Sequence, residues 1–416
     1  MSHMSQTSTL STSSVTAREY PWVIAVSGLL ILITINGLTT SSLSVFDEVI
    51  QREFGLSRGL LKSRETVTYA VSAAFILLSG VLIDRFGVKR LLLTGLGFMT
   101  LALAGYGYAR NLTDLYALHV LLGLAYVSAG SVSVVILVSS WFREKRGLAL
   151  GITLAGTSLG SAVFPPLLTY LIRTEGWRSA FHWLAVIPVV LAVYTALVVR
   201  DSPGERSPSS YEKTKETGPA EGMEYARALK TRLFWIISLC GFLSFLGIVG
   251  LVSNLFLHFR STGFSPSEAA WVLTLYFSMA LLGKFTVSSL SDYVCIYRMF
   301  SLCFGGLTVG ALGIAWLSGG PAVAAVGVAA FSWGGVFTLY TILIVRTFGL
   351  KAAGKINGTI HLFENIGSLT GPVLVGLLSD IGGSYRTALM LVAAVFCVAL
   401  LLSFFFERWK PAPSAG

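Results

Sequence analysis

Residues 80–90 read GVLIDRFGVKR and form a basic turn directly after a long apolar run. Glycine has no Cβ, so Gly80 allows neighbouring helices to approach closely and Gly87 allows a tight turn. The charged residues to which we assign an interface or gating role are Asp84, Arg85 and Arg90. This stretch predicts a charged turn between two helices, in which Asp84 holds charge partners across an interface.

The whole chain is apolar, with 54% hydrophobic and 12% charged residues, whereas about a quarter of a soluble chain is charged. Twelve apolar runs are long enough to cross about 30 Å of hydrocarbon. They lie at about 21–46, 66–84, 91–109, 115–141, 147–173, 179–199, 233–258, 269–290, 299–318, 321–345, 356–379 and 387–406. We therefore predict an all-α membrane protein with twelve transmembrane helices.

The net charge of +10 reflects topology rather than nucleic-acid binding. If both termini are cytoplasmic, 20 of the 30 Lys and Arg residues fall on the cytoplasmic side, as the positive-inside rule requires. We expect a multi-pass protein of the bacterial plasma membrane, surrounded by lipid and monomeric, with both termini inside. The four cysteines show no paired spacing, so we expect neither a disulfide framework nor a metal site.

A polar stretch between the sixth and seventh runs divides the chain into two halves. We predict a disordered tail at 1–20, six-helix bundles at 21–200 and 232–407, a cytoplasmic linker at 201–231 and a tail at 408–416. The two halves also resemble each other in sequence. Residues of the first half recur 207 positions later in the pairs Gly147/Gly354, Gly151/Gly358, Gly160/Gly367, Pro165/Pro372 and Gly176/Gly383.

Lys284 and Glu364 are charges within apolar runs. Charged residues inside a membrane are costly and mark substrate or ion pathways. We expect these two to be the only deep charges. Lys62, Arg64 and Glu65, just before the second run, are expected to anchor a helix at the membrane interface; the alternative is that they attract anions electrostatically.

The turn at 80–90 resembles the signature of the major facilitator superfamily, which places it after the second helix. Other stretches resemble the monocarboxylate transporter branch, which includes the bacterial oxalate–formate exchangers. They are Ser44–Phe46 with Glu53–Ser57, Trp141–Gly151, Gly176–Arg178, Gly371-Pro372, Asp380 and Gly383–Tyr385. The resemblance implies two parallel six-helix bundles with a substrate site between them, near the bilayer midplane.

In this branch the eighth helix often carries Gly-Arg, whose arginine pairs with the substrate carboxylate; here the pair is Gly283-Lys284. Mammalian members place an aspartate four residues earlier, where this chain has Ala280. Their lysine of the first helix is also missing from residues 39–42. The resemblance therefore implies a carboxylate-binding Lys284 without the branch's usual route for proton coupling.

Depth and helical spacing suggest further site residues. For substrate binding, besides Lys284, these are Asn36, Tyr126, Asn254, Tyr276, Trp333, Phe337 and Tyr340. For proton coupling they are Glu364, His258 and His361, because His361 lies one turn from Glu364 and histidine titrates near neutral pH.

These residues suggest a mechanism in which Lys284 and Glu364 neutralise each other in the empty site. An arriving substrate carboxylate then pairs with Lys284, and Glu364 becomes protonated. We predict proton-coupled transport of a lactate- or pyruvate-like monocarboxylate by alternating access. The alternatives are an organic-anion exchanger of the oxalate–formate type and a non-transporting membrane receptor. No catalytic constellation or cofactor motif is found, so we do not expect an enzyme.

Overall fold

A computed structural model describes residues 19–39, 41–142, 144–201, 222–291, 293–349 and 352–408. The first half contains α1 (Tyr20–Thr39), a 3-10 turn (Ser41–Phe46), α2 (Asp47–Phe54), α3 (Arg58–Phe86), α4 (Val88–Tyr106), α5 (Leu112–Ala129), α6 (Ser131–Trp141), α7 (Arg146–Glu175) and α8 (Trp177–Val198). The second contains α9 (Tyr225–Ala228), α10 (Arg232–Ser261), α11 (Pro266–Leu290), α12 (Ile296–Trp316), α13 (Gly320–Phe348), α14 (Ala353–Ile381), α15 (Tyr385–Ser403) and α16 (Phe405–Arg408). The two predicted tails lie almost entirely outside the described residues.

The predicted all-α membrane fold is confirmed. Within the described residues, 11 helices or helix pairs are long and apolar enough to cross a membrane. The first pair joins α1 to α2, and the fourth apolar run is divided into α5 and α6 at Gly130, whose backbone is extended. With 29 residues, α3 has the length of a further span.

The helices extend beyond their apolar runs at one end of the molecule. The first run ends at residue 46, but α2 continues to Phe54 and ends at Gly55, whose φ of 63° suits glycine. The second run begins at residue 66, but α3 begins at Arg58, where the Ser57 hydroxyl accepts a hydrogen bond from the Leu60 amide at 3.3 Å. Charged residues at these run ends therefore belong to helices.

The bundle has two ends, which we name from the chain path. The "linker end" carries Val198 and Arg232, which flank the linker, and the "far end" carries Phe54 and Arg58. The halves pack through two antiparallel helix pairs, α3 with α14 and α7 with α11. The faces of these four helices that meet across the halves therefore form the boundary between them.

The last residues of the predicted linker pack on the second half. The Met223 amide donates to the Phe348 carbonyl at 2.8 Å, and the Tyr225 and Thr359 hydroxyls lie 2.9 Å apart. Residues 202–221 of the linker lie outside the described part of the chain.

Candidate functional site

The Lys284 ammonium lies at the boundary between the two halves. Lys284 is six residues from the linker end of α11, or about 9 Å along the helix axis. Long side chains on a helix point back towards its N-terminus, which here carries the ammonium towards the middle of the bundle. There Nζ donates a 3.0 Å hydrogen bond to the Ser158 hydroxyl of α7, in the other half.

An aromatic ring completes the surroundings of this ammonium. Nζ lies 4.7 Å from the centre of the Phe337 ring on α13, within the range of a cation–π interaction. Phe337 is 44% exposed, so the ring has a free surface beside the cation. Among the described residues no carboxylate lies within ion-pair distance of Lys284. The site therefore holds a cation whose neighbours are neutral.

Two glycines bring α13 against Lys284. A Cβ on Gly283 would meet the Phe331 backbone, and a Cβ on Gly334 would lie 2.8 Å from the Lys284 amide nitrogen. Because neither glycine has a side chain, the two helix backbones touch here. Phe337 follows Gly334 by three residues, so the same contact places its ring beside the ammonium.

Glu364 is buried near the middle of α14, and its carboxyl group is hydrogen-bonded to His361 Nδ1, one turn earlier. A small residue permits this burial, since a Cβ on Gly241 of α10 would lie only 3.2 Å from the Glu364 Cγ. The His361 side chain is 52% exposed, whereas that of Glu364 is 5% exposed. The histidine thus lies between the carboxylate and more open space.

The predicted neutralising pair is not formed in this structure. Within the described residues, Glu364 pairs with His361, and Lys284 bonds to Ser158. The reason is geometric, because α11 faces α7 across the boundary, while the Glu364 side chain packs against α10. The two charges are satisfied by different neighbours.

Two of the predicted aromatic residues lie together, and Tyr340 and Tyr126 lie apart from them. Trp333 joins Phe337, with ring centres 6.0 Å apart, and its other neighbour is Phe245 of α10 at 5.0 Å. Sequence reasoning missed Phe245, because one more phenylalanine in an apolar run carries no signal. Tyr340 is buried, with its hydroxyl 3.3 Å from that of Ser244. Tyr126 is half-buried, one turn before the break at Gly130.

Three other predicted residues have neighbours that fit helix packing. The Asn254 amide donates to the carbonyls of Gly250 at 2.9 Å and Pro372 at 3.2 Å, which ties α10 to α14. Asn36 donates to the Leu32 carbonyl of its own helix at 3.2 Å. His258 is buried with its ring 5.7 Å from that of Tyr385. Their roles in binding or proton transfer remain predictions.

Tyr276 is fully buried on α11, two turns from Lys284 towards the far end. Its hydroxyl has no hydrogen-bond partner among the described residues. A buried hydroxyl without a partner is costly, and a role for Tyr276 in substrate binding remains a prediction.

The basic turn of residues 80–90 lies at the linker end. Gly87 ends α3 with a φ of 83°, a conformation that favours glycine, and a Cβ there would lie 3.0 Å from the Asp201 carboxylate. That carboxylate accepts a 3.0 Å hydrogen bond from the Lys89 amide. Arg85 and Arg90 are exposed. The side-chain position of Asp84 and the surroundings of Gly80 lie outside what the structure describes.

The far end contains a buried charge cluster that the sequence analysis did not predict. Asp47, Lys62, Arg64 and Glu65 are exposed by only 0%, 0%, 1% and 8%. Lys62 Nζ lies 2.5 Å from the Asp47 carboxylate and 2.7 Å from that of Glu65, and Arg64 also pairs with Asp47. The expectation that these residues anchor a helix at the membrane interface is therefore wrong, because their side chains are buried inside the protein. Lys62 and Glu65 also bond to Ser253 of α10, in the other half, and hydropathy along the chain cannot reveal such contacts.

Two further contacts join the halves at the far end. The amides of Arg58 and Gly59, at the N-terminus of α3, donate to the Asp380 carboxylate of α14 at 3.0 and 2.8 Å, an arrangement that suits an anion at a helix N-terminus. Arg260 of α10 pairs with Glu48 of α2 at 2.6 Å. Charged groups therefore hold the two halves together at this end.

Two helical halves that pack against each other, with charged groups buried along their boundary, have the architecture of a membrane transporter. The sequence profile of the Major Facilitator Superfamily matches residues 29–262 and 237–416. The chain belongs to this superfamily, and it is a transporter rather than an enzyme.

Relatives and a solved structure agree with this assignment. The chain is 27% identical to the oxalate:formate antiporter of Oxalobacter formigenes over 92% of its own length and 91% of the relative's. It is 24% identical to the hexuronate transporter of Bacillus subtilis over 91% and 93%. Its fold matches a bacterial homologue of the human lysosomal transporter Spinster, with a TM-score of 0.76, 16% identity and coverage of 97% of this chain and 100% of that one.

Proposed function

We propose that this protein carries a small organic monocarboxylate together with one proton, and that Lys284 binds the carboxylate. The observation that carries the proposal is the hydrogen bond from the Lys284 ammonium to the neutral Ser158 hydroxyl across the boundary between the halves. A lysine ammonium has three donors. An arriving carboxylate can use the others, or replace Ser158, without breaking an existing ion pair.

Two similar proteins support an anionic cargo. Their names specify oxalate, formate and hexuronate, all of which are carboxylates. An isolated cation in a membrane carrier is costly, and an anionic substrate offsets that cost each time it binds. The Phe337 ring beside the ammonium offers an apolar surface for the rest of a small organic acid.

Charge balance supports proton coupling. Lys284 and the His361–Glu364 pair carry one positive and one negative charge when the histidine is neutral. A bound monocarboxylate alone would leave one excess negative charge near the midplane, which a low-dielectric environment disfavours. A proton taken up by the His361–Glu364 pair restores the balance. The empty and the loaded carrier are then both neutral, and one proton moves with one monoanion.

Exchange of the oxalate–formate type is the second candidate, and the similarity to the Oxalobacter antiporter favours it. The buried Lys62 and Arg64 weaken one argument for a monoanion, since Lys284 is not the only buried cation. In this structure, however, both are already paired with carboxylates. Lys284 is therefore the cation that we assign to the cargo.

The purified protein in proteoliposomes separates these candidates. We expect an inward proton gradient to drive uptake of radiolabelled L-lactate into vesicles that contain no organic anion for exchange. Uptake only after the vesicles are loaded with oxalate or formate would replace symport with exchange. Absence of both would overturn the proposed cargo class.

We also propose that the linker end faces the cytoplasm of a monomer in the plasma membrane. Cys295 is an exposed thiol at this end, whereas Cys240 and Cys303 are buried. A membrane-impermeant maleimide should label Cys295 in inside-out vesicles and leave it unlabelled in intact cells. The opposite pattern would reverse the orientation.

A further inference from the structure

We propose that Phe245 of α10 closes the end of the cargo site and thereby sets the length of the acid that the carrier accepts. The inference rests on the proposed function, because it takes Lys284 as the residue that binds the carboxylate. It deepens that function by naming the class of cargo, a monocarboxylate with an apolar body of intermediate length. It starts from three aromatic rings that lead away from the Lys284 ammonium.

The row of rings begins at the ammonium and ends on another helix. The Phe337 ring centre lies 4.7 Å from Lys284 Nζ. The Trp333 ring centre lies 6.0 Å from that of Phe337 and 5.0 Å from that of Phe245. Phe337 and Trp333 are one turn apart on α13 and therefore share a face. A cargo whose carboxylate binds Nζ can thus extend the rest of its chain along the row.

The rings become less exposed along the row. Phe337, beside the ammonium, is 44% exposed, whereas Trp333 and Phe245 are half-buried. The surface that a cargo can contact is therefore widest near Lys284 and narrows towards Phe245. A site of this shape is open at the cation and closed at its other end.

Trp333 and Phe245 form a corner at that closed end. Their ring planes meet at 84°, an edge-to-face contact of the kind that aromatic pairs prefer. A chain that runs along the face of Trp333 therefore meets Phe245 across its path. Trp333 is thus a side wall of the site, and Phe245 is its end wall.

Side chains rather than close backbones join α10 to α13 at this corner. The main packing neighbours of α10 are α14 and α15, and those of α13 are α11 and α12. Glycines bring the backbones of α11 and α13 together at Gly283 and Gly334, but two large rings span the space between α10 and α13. Truncation of Phe245 should therefore lengthen the site without removing a backbone contact.

The row also selects the chemistry of the cargo body. The faces of aromatic rings carry negative electron density, which attracts the Lys284 ammonium and repels a second carboxylate. Phe245 lies one turn after Gly241, where an added Cβ would be 3.2 Å from the Glu364 Cγ. A second carboxylate at the end of the row would thus approach an acidic residue. The site favours an apolar body over a charged one.

Chain length should therefore change affinity in both directions. Each methylene group that leaves water for an apolar surface tightens binding by about fourfold. A chain that is too long must displace the Phe245 ring, and overpacking of this kind weakens binding by about tenfold or more. An optimum at an intermediate length is the result that distinguishes an end wall from an open apolar surface.

Isothermal titration of the purified full-length protein with 2-oxo acids tests the proposal without a transport assay. In the parent, 2-oxopentanoate should bind about tenfold more tightly than both pyruvate and 2-oxooctanoate. The dicarboxylate 2-oxoglutarate has the same chain length as 2-oxopentanoate and should bind at least about tenfold more weakly. In Phe245→Ala, 2-oxooctanoate should bind at least as tightly as 2-oxopentanoate, while the Kd of pyruvate changes by less than about twofold.

Three further variants serve as controls. Phe245→Leu keeps an apolar side chain of intermediate size, so it should preserve the fold and move the optimum part of the way to longer acids. Phe285→Ala removes a ring that follows Lys284 directly in the sequence but is 55% exposed, and it should keep the order of affinities seen in the parent. Lys284→Ala should lose binding of every acid, which shows that the measured heat comes from this site.

The outcomes separate this inference from the proposed function. An affinity in the parent that is independent of length, or that still rises at 2-oxooctanoate, would overturn the role of Phe245 and leave Lys284 as the carboxylate site. The same optimum in the parent, Phe245→Ala and Phe245→Leu would do so too. Absence of binding of every acid to folded parent protein, or undiminished binding to Lys284→Ala, would overturn the proposed function and this inference with it.

Discussion

The Lys284 ammonium and the Ser158 hydroxyl are 3.0 Å apart and belong to opposite halves of the molecule. This bond crosses the boundary along which the halves of an alternating-access carrier separate. The charge that we propose binds the cargo is thereby linked to the contact between α7 and α11. Any anion that binds the Lys284 ammonium competes with the neutral Ser158 hydroxyl rather than with a carboxylate.

Replacement of Ser158 by alanine should leave transport intact and change the KM for the substrate by less than about tenfold. A hydrogen bond of this kind contributes about 0.5–3 kcal/mol, depending on whether its partner is charged, and part of that loss is offset when substrate no longer competes for Nζ. Concentration-dependent uptake into proteoliposomes measures the effect. Complete loss of transport in a well-folded Ser158→Ala protein would show that the hydroxyl does more than accept a hydrogen bond from Lys284 when no substrate is bound.

Replacement of Gly334 by alanine should destabilise the protein and lower the transport rate. The added Cβ would meet the backbone of α11 at Ala280 and Lys284, and overpacking of this kind costs about 1–3 kcal/mol. Thermal unfolding in detergent measures the loss. Gly305→Ala on α12 is the matched control, because nothing lies within 4 Å of its added methyl group, and its Tm should not fall.

Replacement of Glu364 by glutamine should uncouple uptake from the proton gradient. The variant keeps the shape of the side chain but removes the charge that pairs with His361. Uptake should become independent of the gradient, while exchange of labelled for unlabelled substrate at equal pH should continue. His361→Gln should also make uptake less dependent on the proton gradient, but to a smaller extent than Glu364→Gln. If gradient-driven uptake by Glu364→Gln equals that of the parent, Glu364 is not the residue that couples transport to the proton gradient.

Much of the fold could be predicted from the sequence, because spanning segments must be apolar and about 20 residues long. Lys284 and Glu364 were found for the same reason, since a charge inside an apolar run is conspicuous. Helical spacing also placed His361 beside Glu364, but the partner of Lys284 across the boundary and the ring that packs on Trp333 could not be found in this way. Ser158 and Phe245 resemble many other residues of their helices, and only the packing of α7 against α11 and of α13 against α10 selects them.

The buried cluster of Asp47, Lys62, Arg64 and Glu65 shows a second limit. Hydropathy places these residues at the ends of apolar runs, where charges normally meet water or lipid headgroups. The helices that carry them extend past the apolar runs, and Lys62 and Glu65 bond to Ser253, which lies 188 residues from Glu65 in the chain. Tertiary contacts, and not local composition, decide whether such charges are exposed.

The most direct test of the account compares L-lactate uptake by the parent, Lys284→Ala and Lys284→Arg in proteoliposomes with an inward proton gradient. Loss of a charge-assisted contact with the carboxylate corresponds to about 3 kcal/mol, or roughly 100-fold in transport efficiency. We predict that Lys284→Ala falls to the background of protein-free vesicles, while Lys284→Arg, which keeps the charge, retains measurable uptake. Uptake by folded Lys284→Ala within about twofold of the parent would contradict the assignment of Lys284 as the carboxylate-binding residue.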